Sequence, residues 1–182
     1  MIKDFKIVFD EDRAINAVLY ILTKLSRKDF HKIFKILFFA DREHLLKYGR
    51  TITGDNYIAM NDGPVPSYLY DIFKSVKGNG YFKDNGHFSK YFSVVEGCLL
   101  KEESEPNLNK LSQTDLQQLN ISLDKYGNMS WNEIRELSHG EAWINTVNNS
   151  AISFVDILKE IESDESYIDY LKEQNLLKNH LQ

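Results

Sequence analysis

The chain has 182 residues, 42% hydrophobic and 27% charged, a globular composition that excludes a disordered tract or a low-complexity repeat. A formal net charge of −5 argues against general phosphate-backbone binding, and the lone cysteine, Cys98, excludes an internal disulfide. No run approaches the roughly 18 apolar residues of a membrane span, and acidic residues interrupt the start MIKDFKIVFDEDR where a secretory signal needs an apolar stretch.

One domain spanning 1–182, with a core of about 10–160 and a helical extension at 161–182, is expected in the cytoplasm. Charge divides unevenly along it: residues 1–92 carry +4 and residues 93–182 carry −9. The acidic half reads either as a solvated face or as a surface for a basic partner.

In chain order, Asp10, Glu11 and Asp12 open a first helix, and Ala14, Val18, Ile21, Leu22 and Leu25 follow at helical spacing. Ser26 with Asp29 predicts the start of a long second helix, which carries Phe30, Ile33, Phe34, Leu37, Phe38 and Leu45 and stops at Gly49. Five basic residues in KLSRKDFHKIFK read as a solvated face beside that apolar stripe. Near its end the helix turns polar, with Asp41, Arg42, Glu43 and His44 in succession.

A densely punctuated stretch, TGDNYIAMNDGPVPS, follows. Gly54-Asp55 gives a turn, residues 57–60 a strand, and Asn61-Asp62-Gly63 a second turn stiffened by Pro64 and Pro66, with Pro66 opening a third helix. Residues 81–100 read as short strands, with Cys98 buried in one of them. Ser112 with Asp115 and Ser130 with Glu133 cap helices over 113–126 and 131–138. SHGEAWINTV, FVDILKEI and ESYIDYLKEQNLLKN complete a mainly helical α+β pattern of six or seven helices with a small antiparallel sheet built from 57–60 and 81–100.

For chemistry, DREH lacks the second histidine of a zinc-binding HExxH helix, and neither a phosphate loop nor a GxSxG elbow is present. Asp55, Asp62 and Glu141 are candidates for an acid/base pair that spacing alone does not bring together. A metal-dependent hydrolase using Asp41, His44 and His139 stays open as an alternative. The turn-rich corner itself suits a structural role, with aspartates bonding backbone N–H groups.

Read as one unit, FFADREHLLKYGRTITGDNYIAMNDGPVPSYLYDIFK resembles the signature of the Panacea domain, the SocA-like antitoxins of bacterial and phage toxin–antitoxin systems, a setting of phage defence. The match runs through Asp41, Arg42, Glu43, His44, Tyr48, Gly49, Gly54, Asp55, Tyr57, Gly63, Pro64, Pro66 and Ser67, and LSHGEAWINT resembles a second family block through His139, Glu141 and Trp143. The resemblance implies a non-enzymatic antitoxin that binds and blocks a cognate protein toxin encoded by an adjacent gene, with no cofactor and no metal. It also admits an adaptor that hands the toxin to a protease, or a phage-associated interaction protein. No spare length for a separate DNA-binding module is expected, so nucleic acid is not an expected partner.

On this reading Asp41, Arg42, His44 and Asp55 form one polar cluster locking the long helix to the corner, with Trp143 packed nearby and His139 or Glu141 joining. The toxin surface is expected away from that motif, on the middle segment or the acidic C-terminal half, with Glu160, Glu162 and Glu165 as candidates.

Overall fold

A computed structural model describes residues 4–81, 83–162 and 164–180, with side chains to 177. The outermost residues of the expected 1–182 span, together with 82 and 163, lie outside the described residues. Helix α1 spans Glu11–Leu22; Asp10 caps it by accepting from the Arg13 N–H, and it stops one turn before Leu25. Helix α2 spans Phe30–Tyr48. Its cap is Asp29 rather than Ser26, because the Asp29 carboxylate reaches the Lys32 N–H at 3.0 Å. Gly49, left-handed, ends it.

Strands β1 (Tyr57–Met60) and β2 (Gly63–Pro66) form an antiparallel hairpin, in which Tyr57 faces Pro66 and Met60 faces Gly63. Helix α3 (Ser67–Val76) follows directly, with Pro66 at the cap position and not inside the helix. Strands β3 (Phe92–Val95) and β4 (Leu99–Glu102) form a second hairpin. The expected single sheet is therefore two separate two-stranded sheets. Cys98 falls in the β3–β4 turn and is exposed, which corrects the expected buried strand cysteine; Glu96 and Gly97 bend the chain there with positive φ.

After a 3-10 turn at Leu108–Lys110 come α4 (Gln113–Tyr126) and α5 (Trp131–Ser138), each opened by a complete capping box, Ser112 with Asp115 and Ser130 with Glu133. Helices α6 (Glu141–Ile144), α7 (Phe154–Lys159) and α8 (Glu165–His180) complete eight α-helices among the described residues, so the class is mainly helical with small antiparallel sheets.

Helix α2 is the axis of the molecule. Ile33, Ile36, Leu37, Phe39 and Leu45 are buried, and its flanks meet α1, α4, α5, α7 and β2. Such a helix has almost no face left for water, and the expected solvated basic face holds at Lys24 and Arg27, which are exposed, and is corrected at Lys32 and Lys35. Lys32 is buried and donates to the carbonyls of Tyr126 and Met129, and the fully buried Lys35 donates to the Pro64 carbonyl at 2.8 Å.

Candidate functional site

Asp41 is the hub of the corner. It projects from α2 with no exposure to solvent, and each of its carboxylate oxygens accepts twice. Oδ1 takes the Ile52 N–H at 2.7 Å and the Thr53 N–H at 3.1 Å, while Oδ2 takes the Thr53 hydroxyl at 2.6 Å and the Tyr57 hydroxyl at 2.8 Å. Burial pushes the Asp41 carboxyl up, and the four donors pull it back. Burial and the neighbouring carboxylate push the Tyr57 phenol well above its ordinary value, so it stays a donor.

Asp55 is the second anchor. Its two oxygens accept the Tyr68 N–H at 3.0 Å and the Leu69 N–H at 2.9 Å, satisfying the start of α3 from outside the helix. Thr53 ties it to the hub, since the Thr53 hydroxyl that donates to Asp41 also accepts the Asp55 N–H at 3.1 Å. Desolvation pushes the Asp55 carboxyl up to about 7. Gly54 is forced by a close approach: with φ +67, a Cβ there would stand 1.9 Å from the Val8 carbonyl oxygen.

His44 lies one turn along α2 in a different network. Its Nδ1–H donates to the Arg50 carbonyl at 2.8 Å, and its Nε2 faces the Thr114 hydroxyl and the Asp115 carboxylate, each at 3.1 Å. Arg50 also reaches Asp115, at 2.8 Å. Burial works against the Asp115 charge, but hydrogen bonds from His44 and Ser112 and the Arg50 guanidinium outweigh it and hold the carboxyl well below its usual range. Tyr48 packs on the His44 ring, with centroids 4.6 Å apart.

A third group closes the hairpin tip. The Trp143 indole N–H donates to the Met60 carbonyl at 2.9 Å and stacks on His139 at 3.7 Å. Gly63, at φ +97, has the Ser138 hydroxyl 2.5 Å and the Lys35 ammonium nitrogen 2.9 Å from where a Cβ would stand. Burial holds the Lys35 amine down at about 7, and burial also lowers His139. Arg135 clamps the turn by reaching the Asp62 carboxylate at 3.1 Å and the Asn61 carbonyl at 3.2 Å.

The expected single cluster is thus three. Asp41 and Asp55 meet through Thr53, His44 belongs to the α2–α4 contact, and His139 and Trp143 belong to the hairpin tip. Arg42 joins none of them: its guanidinium lies over the Phe39 ring at 5.1 Å and reaches Glu43 at 3.2 Å. Glu141 is exposed. Pro64 receives Lys35 on its carbonyl, Pro66 sets the cap of α3, and the Ser67 N–H closes the corner on the Asn56 carbonyl at 2.9 Å.

Asp41, His44 and His139, the hydrolase candidates, lie in three separate groups, and among the described residues no three His, Cys, Asp or Glu side chains gather as a metal site. Of the acidic candidates, Glu160 accepts the Ala142 N–H at 2.5 Å and packs against Gly140. Glu162 accepts the Asp164 N–H at 2.9 Å, and Glu165 pairs with Lys159 at 3.6 Å. Sequence reasoning missed Lys35, Arg50 and Thr53 as parts of these networks. Arg50 and Thr53 both stand in the quoted motif, and Thr53 carried a further signal, a hydroxyl two residues before Asp55 at a turn.

The family model of the antitoxin SocA-like, Panacea domain matches residues 33–144, from the first turns of α2 to the end of α6. The chain belongs to that family. No curated protein and no solved structure matches it. All three polar groups of this Panacea domain fall within the matched stretch. Segments beyond the match brace it: the Asp10 N–H donates to the Thr53 carbonyl at 3.0 Å, and β1 exchanges backbone hydrogen bonds with residues 149–152. Membership implies an antitoxin role and, in general terms, a toxin as partner. Among the described residues no helix is long and apolar enough to cross a membrane.

Proposed function

We propose that this protein neutralises a cognate protein toxin, encoded by an adjacent gene, through direct protein–protein binding in the manner of a type II system. The observation that carries this is the Panacea match over 33–144, which takes in the whole corner. Support comes from how the motif's polar side chains are used. Asp41 and Asp55 spend both carboxylate oxygens on donors from the chain itself, and His44 has neighbours of the same chain at both ring nitrogens. Groups so engaged hold a scaffold, and specificity then falls to the surface.

Within that reading the acidic C-terminal half meets the toxin. Glu162 and Glu165 suit a contact role better than Glu160, which holds α6 in place. The test is co-purification with the product of the neighbouring gene, together with growth of cells expressing that gene alone and with this chain. Arrest relieved by co-expression, with the two proteins eluting as a complex, is expected. A harmless neighbour, or relief without a complex, would overturn the proposal.

A further inference from the structure

Val147 and Ile144 are the two most exposed aliphatic side chains among the described residues, at 74% and 64%. Both lie on α6 or the loop that follows, and their exposure is held in place by the fold. The Trp143 indole is fixed on the Met60 carbonyl, Ala142 on Glu160, and the Thr146 hydroxyl donates to the Ala142 carbonyl at 2.6 Å. Beyond them the Asn149 N–H donates to the Ala59 carbonyl at 2.7 Å, so both ends of the loop are tied to the hairpin.

A hollow of about 440 Å³ lies on one side of α6, lined by Ala59, Asn61, Trp143, Ile144, Thr146 and Asn148. A second, of about 270 Å³, lies on the other side and includes Glu141, Asp156 and Lys159. The acids of the rim are Glu141, Asp156 and Glu160 on the second hollow, with Glu141 and Asp156 exposed, and Asp62, exposed beside Asn61 of the first. Cations offset part of that charge: Arg135 pairs with Asp62 and Glu136, Lys159 pairs with Glu165, and Arg42 favours the charge on Glu160.

We infer that α6 and the loop to Asn148 form the face that receives the toxin, and that the toxin segment seated there is basic with an apolar side chain at its centre. This rests on the reading of the protein as a direct-binding antitoxin. A rigid apolar centre inside a charged rim is where binding energy concentrates, because little order is lost on docking and the rim excludes water. The acidic rim selects a cationic partner and speeds its approach.

The experiment measures the affinity of the full-length chain for the purified neighbouring toxin, with melting curves for every variant. Ile144→Ala combined with Val147→Ala should weaken binding at least about tenfold with an unchanged melting midpoint. Glu141→Lys, at a solvent-facing position, should weaken it and flatten its salt dependence. Val8→Ala with Val95→Ala, exposed elsewhere, should leave it within about twofold of wild type. Wild-type affinity in both the double variant and Glu141→Lys, while wild type still neutralises the toxin, would overturn this face and leave the antitoxin reading standing. A wild-type chain that binds no neighbouring gene product would overturn both. A chain that dimerises alone and becomes monomeric in the Ile144, Val147 variant would assign the face to a second copy and overturn the toxin assignment.

Discussion

Asp55 shows how much one buried carboxylate decides. Its folded-state pKa, raised by desolvation from 3.8 to about 7, means that the native chain binds this proton more tightly than the unfolded one. The stabilisation from that proton is complete below about pH 3.8 and is lost as pH rises through about 7. Asp55→Asn carries no such proton. The stability of wild type relative to Asp55→Asn should therefore fall, by on the order of a few kcal/mol, between about pH 4 and pH 8. Urea unfolding of both proteins across that range measures it, and a difference that stays constant with pH would contradict it. Asp55→Ala, which strands the Tyr68 and Leu69 N–H groups, should cost roughly 1–3 kcal/mol near pH 4, a cost that shrinks as pH rises because wild type loses the same proton-linked stability.

At the scale of elements, the β1–β2 hairpin is where the chain tolerates least. Gly63→Ala would keep a positive φ that L residues avoid and would drive a methyl group towards the Ser138 hydroxyl and the Lys35 ammonium. A loss of about 2 kcal/mol or more is expected in a melting or denaturant experiment. A midpoint equal to wild type would show that the tip has room to shift. Local elements were legible because their causes are local. Ser112 with Asp115 and Ser130 with Glu133 satisfy helix starts within three residues, and the Gly/Pro turns announce themselves. Lys32 and Lys35 were not legible. Their partners are carbonyls far along the chain, Pro64 for Lys35 and Tyr126 and Met129 for Lys32, so helical spacing alone placed them in water. The exposure of Cys98 was hidden for a related reason: an apolar run looked like strand, while the positive φ of Glu96 and Gly97 made it a turn. The sequence put Asp41, His44 and Asp55 in one cluster, whereas the folding of α4 against α2 draws His44 to Thr114 and Asp115, apart from Asp41.

The molecule as a whole has a hydrogen-bonded interior and a shaped exterior. The motif residues knit α2, the corner, α3 and the 149–152 segment into one body, and in the proposed reading the second half, at −9, offers the surface for the toxin. A protein that works by occupying its target acts mole for mole, whereas one that works by chemistry acts repeatedly. The most direct measurement is therefore a titration of the neighbouring toxin's activity against increasing amounts of this chain, read at early and late times. Direct binding expects activity to fall in proportion to added chain, reach zero at a fixed molar ratio and not change with time. Progressive loss of toxin activity at amounts far below that ratio would contradict it.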